Sequence, residues 1–177
     1  MRRYIKKFVF SLIENSTTPL VLDADALNCV AKQPEILLRK KASIIITPHP
    51  GEMSRLTGLA TSLVNAERER VALDFAQKYG VVTVLKGAGT VIASPNGKVL
   101  VNPTGNSGMA TGGSGDVLAG MTASILAQGA SAFSSAAAAV YLHGLAGDIA
   151  AEKYGKISML PTDLINCIPL AYKRCGF

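Results

Sequence analysis

Apolar residues fall along this chain in two kinds of stretch. Short unbroken runs occur at Pro19-Leu-Val-Leu-Asp23, Ser43-Ile-Ile-Ile-Thr47 and Val81-Val-Thr-Val-Leu85. Runs of this length without polar alternation predict strands covered on both faces, as in a parallel sheet. Between the second and third runs, Leu63, Ala66, Val71, Leu73 and Phe75 recur at an approximately helical period from Ser62 to Tyr79, with Glu67 to Arg70 expected to lie largely outward. Gly80 stops that helix, so the unit is strand–helix–strand. Residues 90–93 and 98–101 flank Ser94-Pro-Asn-Gly97, and the Asn-Gly pair predicts an antiparallel hairpin. Helices are expected over 115–128, 134–153 and 161–174, the last opening on Pro161. A basic amphipathic helix precedes everything, built on Arg2, Arg3, Lys6, Lys7 and Phe8–Ile13. The pattern predicts an α/β chain of three layers over 1–177, with a mostly parallel sheet, an antiparallel hairpin and a helical C-terminal third.

Composition narrows this picture. Hydrophobic residues make up 49% of the 177 and charged residues 17%, which excludes intrinsic disorder. Aromatics are 6% and Trp is absent, so the core must be aliphatic and close-packed. Net charge is +6, which favours phosphate-bearing partners. The basic groups at Arg2–Lys7 and Arg39–Lys41 carry no interleaved stacking aromatics, so nucleic acid is not the expected partner. Cys29, Cys167 and Cys175 are odd in number and lack C-x-x-C spacing, which argues for reduced thiols in the cytoplasm rather than disulfides or zinc. The apolar run after the basic N-terminus is short and meets Glu14, so it reads as a helix rather than a leader. Val117–Gly147 contains no Asp, Glu, Lys or Arg, yet Gln128-Gly-Ala-Ser131 and Ser134-Ser135 interrupt it. Two buried helices and a turn explain it, and no membrane association is expected.

Four segments carry candidate chemistry. The richest runs from Asn102 to Asp116, with Gly105, Gly108, Gly112, Gly113 and Gly115 leading into a helix. Glycines let backbone N–H groups converge, and the helix terminus adds positive potential, so an anion site is predicted at Gly112, Gly113, Ser114 and Gly115. No Lys follows the glycines, so this is not the common nucleoside-triphosphate loop. A carboxylate there would repel a simple phosphate ligand. Asp116 makes sense if it faces a substrate hydroxyl while the amides hold a phosphoryl group in transfer. The other reading is a plain carboxylate in the first helical turn.

Thr47-Pro-His-Pro-Gly-Glu52 follows a strand and opens a helix, where open α/β sheets bind ligands. It is either a ligand wall with a stiffly held His49 or a turn whose Glu52 caps the helix. Lys86-Gly-Ala-Gly-Thr90 follows the third strand and is either a nucleotide loop or a tight turn. Asp23-Ala-Asp-Ala-Leu-Asn28 is a poor metal site as it stands, and its carboxylates are expected to cap a helix. His143 reads as a core or interface histidine, and Asp148, Glu152 and Asp163 as solvated or capping residues.

Together, Val21–Asn28, Thr47–Glu52, Lys86–Thr90 and Gly105–Asp116 resemble the ADP-dependent NAD(P)H-hydrate dehydratase family, a branch of the ribokinase-like superfamily. The resemblance runs from about residue 19 to the C-terminus. It implies a ribokinase-like fold and the repair of hydrated NADH and NADPH. In that activity ADP phosphorylates the added hydroxyl of the (S)-hydrate, and phosphate then leaves, with Mg2+ assisting. Carried over by position, His49 and Asp116 would contact the hydrated nucleotide. Lys86, Gly87, Ala88, Gly89, Thr90 and Gly115 would contact the adenine nucleotide, and Glu52 would order Mg2+ through water. Ser107 stands where the family usually has Pro. Members are normally longer at the N-terminus, so the chain is expected to be the C-terminal portion of the family domain, a misread gene start or a degenerate copy. Its sheet would then have an open edge, to be covered by homo-oligomerisation or a borrowed strand. Two rivals remain: another ribokinase-like small-molecule kinase, and a nucleotide-binding protein with little activity.

Overall fold

A five-stranded sheet of order β1-β2-β3-β4-β5 divides the protein, in a computed structural model that describes residues 3–177. The strands are β1 (Leu20–Leu22), β2 (Ile44–Ile46), β3 (Val82–Leu85), β4 (Val91–Ala93) and β5 (Val99–Val101). β1–β2 and β2–β3 pair parallel, and β3–β4 and β4–β5 antiparallel. Four of the five strands therefore point the same way, with β4 as the reversed member.

The unbroken apolar runs are explained by burial on both faces. Ile44 and Ile46 pack into one core with Val81, Leu85 and Phe75. Ile45, Val82 and Val84 point the other way, into a core with Leu118, Ala139, Val140 and Leu164. Each fully buried Ile or Val of this kind contributes about 1.5–3 kcal/mol. The first layer of helices is α1 (Arg3–Asn15), α2 (Asp25–Val30), a 3-10 turn at Pro34–Arg39, α3 (Pro50–Thr57), α4 (Thr61–Ala66) and α5 (Arg68–Tyr79). The opposite layer is α6 (Ser114–Ala127), α7 (Ala132–Tyr154) and α8 (Pro161–Arg174).

α1 buries Val9 and Ile13 and leaves Tyr4 and Phe8 exposed. Of the basic residues expected on it, Arg2 lies outside the described residues. Val117–Gly147 does form two helices and a turn, and no described helix is long and apolar enough to cross a membrane.

The helix expected over 62–79 is broken. Glu67 adopts φ −126°, ψ 45°, ending α4 and starting α5. The buried positions on the two sides keep one helical stripe, Val64 and Val71 being seven residues apart, so periodicity alone does not mark the break. Val64 is buried in α4, whereas Val71, Ala72, Phe75, Ala76 and Tyr79 are buried in α5.

Candidate active site

The carboxyl ends of β1, β2 and β3 lie side by side because Leu22 pairs with Ile46, and Ile46 with Thr83. Backbone bonds extend this alignment past the strands. Thr47 N donates to Leu22 O at 3.2 Å, and Lys86 N to Pro48 O at 2.8 Å. The three following loops are thus held together. Lys86 Nζ donates to Asp23 Oδ1 at 2.8 Å and lies 3.9 Å from Glu52 Oε2. All three side chains are largely buried. A buried ammonium needs such partners, because desolvation without a counter-charge is costly. Asp23 therefore serves Lys86 rather than capping α2, contrary to the sequence expectation. The α2 cap position is Ala24, at φ 49° and without a side-chain bond. Asp25 instead accepts from Asn28 Nδ2 at 3.5 Å.

His49 and Glu52 form a capping box at the start of α3. His49 Nδ1 accepts from Gly51 N at 3.0 Å and Glu52 N at 3.3 Å, and His49 N donates to Glu52 Oε2 at 2.8 Å. The prolines on either side keep His49 extended, and Gly51 leaves room for the ring to fold back: an added Cβ there would sit 3.0 Å from it. With Nδ1 accepting, a neutral ring carries its proton on Nε2. His49 thus caps its helix and still leaves about half its side chain at the surface. Glu52 keeps Oε1 out of the cap, 3.6 Å from His49 Nε2.

The loop after β3 turns through Gly87 (φ 149°) and Gly89 (φ 62°), and Thr90 Oγ1 donates to Gly87 O at 3.0 Å. Arg68 reaches it from α5. One Nη donates to Leu85 O at 2.9 Å and Gly89 O at 3.4 Å, and the other to Lys86 O at 3.4 Å. Burial pulls this guanidinium below its ordinary pKa. Arg68 therefore points inward, whereas the sequence reading had placed it outward; Glu69 and Arg70 are exposed as expected.

The glycine-rich loop is moulded on α7. Asp148 Oδ2 accepts from Gly105 N at 2.9 Å, and Asp148 Oδ1 from Asn106 Nδ2 at 3.0 Å. Thr104 Oγ1 donates to Tyr141 O at 2.9 Å. Added methyl groups at Gly144 and Gly147 would collide with Thr104 and Met109. Asp148 is thus a loop anchor, not a solvated residue; Asp163 does cap α8, accepting from Leu160 N at 2.8 Å. His143 is buried, as predicted, and its Nε2 lies 2.9 Å from Ser114 O, so a neutral ring donates to that carbonyl. Burial, opposed by that bond and reinforced by the charge of Lys86, pushes its pKa down to about 4.

α6 begins after Gly113 in a left-handed conformation (φ 98°). Among the described residues no acceptor takes the N–H groups of Gly112, Gly113, Gly115 or Asp116. The Ser114 N–H is the exception: it donates to Thr111 O at 3.3 Å, which removes it from the predicted anion hole. Ser114 Oγ is buried without a hydrogen-bond partner. A Cβ on Gly115 would lie 3.4 Å from Lys86 Nζ, so the ammonium abuts the open end of α6. Asp116 is exposed in the first turn and, among the described residues, makes no hydrogen bond or ion pair. The structure brings together Asp23, Glu52, Lys86 and Gly115, with His49 joined through Glu52. Sequence reasoning missed the support roles of Asp23, Arg68 and Asp148, all of which depend on long-range contacts.

The arrangement is an open face with a buried cation, a half-helix of free amides and an exposed carboxylate. The family model for NAD(P)H-hydrate dehydratase matches residues 2–170. The chain belongs to that family. It is 45% identical over 166 residues to the bifunctional NAD(P)H-hydrate repair enzyme Nnr of Moorella thermoacetica, covering 94% of this chain and 31% of that protein. The ADP/ATP-dependent NAD(P)H-hydrate dehydratase of Bacillus subtilis, crystallised with ATP/Mg2+ and soaked with CoA, superposes with a TM-score of 0.83 at 35% identity. That match covers 92% of this chain and 58% of the other. A ribokinase-like superfamily protein from Enterococcus faecalis gives a TM-score of 0.81 at 28% identity, covering 98% and 60%. The fold is ribokinase-like, and this dehydratase-family chain spans about a third to three-fifths of these relatives.

Proposed function

We propose that this chain carries the phosphoryl-transfer face of an ADP-dependent (S)-NAD(P)H-hydrate dehydratase. One observation carries the reading: the Lys86 ammonium, held by Asp23, stands against the open amides of α6 one residue before Asp116. Such a site suits an oxyanion in transfer, because fixed donors favour charge as it develops.

The roles follow from position. The Lys86–Thr90 loop and Gly115 hold ADP, and His49 and Asp116 hold the hydrated nicotinamide. Asp116 takes the proton of the added hydroxyl as its oxygen attacks the terminal phosphorus of ADP. The P–O bond to AMP breaks, and the amides of Gly112, Gly113 and Gly115 hold the migrating phosphoryl group. Phosphate then leaves with the C–O bonding pair, a ring carbon gives up a proton, and the dihydronicotinamide is restored. Phosphorylation replaces hydroxide, a poor leaving group, with a good one.

The donors suit Mg2+ in its usual manner, through one or two carboxylates, waters and substrate phosphates. Glu52, with one oxygen outside the capping box and Asp23 nearby, would order those waters. When bound, the ion neutralises charge on the transferring group. Reduced thiols at Cys29, Cys167 and Cys175 suit a cytoplasmic location.

The test incubates the protein with hydrated NADPH, ADP and Mg2+ and follows the absorbance of restored dihydronicotinamide. Recovery is expected, and Asp116→Ala should lower the rate by about 10²–10⁴-fold. ADP binding with no turnover, or a rate indifferent to that substitution, would leave a nucleotide-binding protein instead. ADP formation from ATP with a vitamin precursor or sugar would point to a kinase.

A further inference from the structure

We infer that Arg68 is a positioning residue for the nucleotide loop, setting which way the peptide groups of 85–89 face; this rests on the assignment of that loop to ADP. The guanidinium sits directly beneath the loop. The position of a Cβ on Gly87 lies 2.7 Å from Arg68 Nη1, so a side chain there would have to displace the guanidinium. Its two Nη groups engage three carbonyls of one turn, those of Leu85, Lys86 and Gly89. A planar fork can hold several carbonyl oxygens at fixed angles, which an ammonium cannot. With those carbonyls drawn down to Arg68, the N–H groups of Ala88 and Gly89 have no acceptor among the described residues. They are left for a ligand.

Helix electrostatics does not explain this placement. Arg68 opens α5, where the helix terminus is already positive and a cation is unfavourable. No carboxylate pairs with it among the described residues; Glu67, its neighbour, pairs with Arg70. Arg68 is thus a half-buried charge with no counter-ion among the described residues, under a loop with two unbonded donors. A diphosphate supplies the missing negative charge.

The experiment compares wild type with Arg68→Met and Arg68→Lys. Backbone hydrogen exchange reads the loop, and calorimetric titration reads ADP and, separately, NADPH. Arg68→Met should speed exchange at 86 and 87, the loop amides bonded to Pro48 O and Thr90 Oγ1, by about tenfold with 82–84 unchanged. It should weaken ADP about tenfold while leaving NADPH within about twofold. Arg68→Lys, which keeps the charge but loses the fork, should restore less than half of either effect. Unchanged loop exchange overturns the proposal, as does full rescue by Lys or an equal loss of both ligands. A wild-type protein that binds no ADP sinks the nucleotide assignment alone, and the exchange result still decides whether Arg68 orders the loop.

Discussion

At residue scale, the side chains of this site do two jobs, and only one of them was visible in advance. Lys86, His49 and Asp116 stand out in sequence because they adjoin Gly or Pro where a strand ends or a helix begins. What Lys86 does with its charge is not local: its partner Asp23 is 63 positions away in the chain. His143 shows the same division. Its burial follows from the Ala-rich pattern around it, but its bond to Ser114 O depends on how α7 crosses α6. That burial has a pH signature. The folded pKa of about 4 lies below the ordinary 6.5, so the unfolded chain binds the proton more readily. Above pH 6.5 the contribution is constant. It is lost as pH falls from about 6.5 to about 4, in total on the order of 3 kcal/mol. Urea unfolding at pH 7 and pH 4 should show that loss. His143→Gln, which keeps a donor for the Ser114 carbonyl, should flatten the His143 share of the dependence.

At the scale of elements, strand positions were legible because burial on both faces writes a plain apolar run. Helix ends were legible where chemistry marked them, as at Gly80 and Pro161. The break at Glu67 was not, because Val64 and Val71 are seven residues apart and fit one unbroken helical stripe. The glycines of α7 were equally silent. Read alone, Gly144 and Gly147 are weak helix formers; in the fold they admit Thr104 and Met109. Gly144→Ala should gain helix propensity and still lose about 1–3 kcal/mol by overpacking. Denaturant midpoints measure this. A gain in stability would show that Thr104 moves aside without cost.

For the whole molecule, the notable exposure is the flank of β1. Only β2 pairs with it among the described residues. Leu20 N and Leu22 O face β2, so the peptide groups of Val21 face away from it. An open edge beside a buried sheet is a template for another strand. We propose that a second copy of the chain supplies one; sedimentation velocity at micromolar concentration should then detect a dimer. Val21→Pro removes the outward donor without touching the β2 ladder, and should shift the population toward monomer with the fold retained. Unaltered mass in that variant would place any association elsewhere.

The grip of α7 on the glycine-rich loop constrains how this site can change. Within two turns of one helix, His143 fixes the carbonyl of Ser114, Gly144 admits Thr104, and Asp148 holds Gly105 and Asn106. A slip of α7 by a single residue would undo every one of these at once. The glycine-rich wall therefore behaves as a cast part, replaced whole or left alone. Adaptation to a different hydroxyl-bearing substrate is left to the opposite wall, where His49 stands on a helix with its own separate cap.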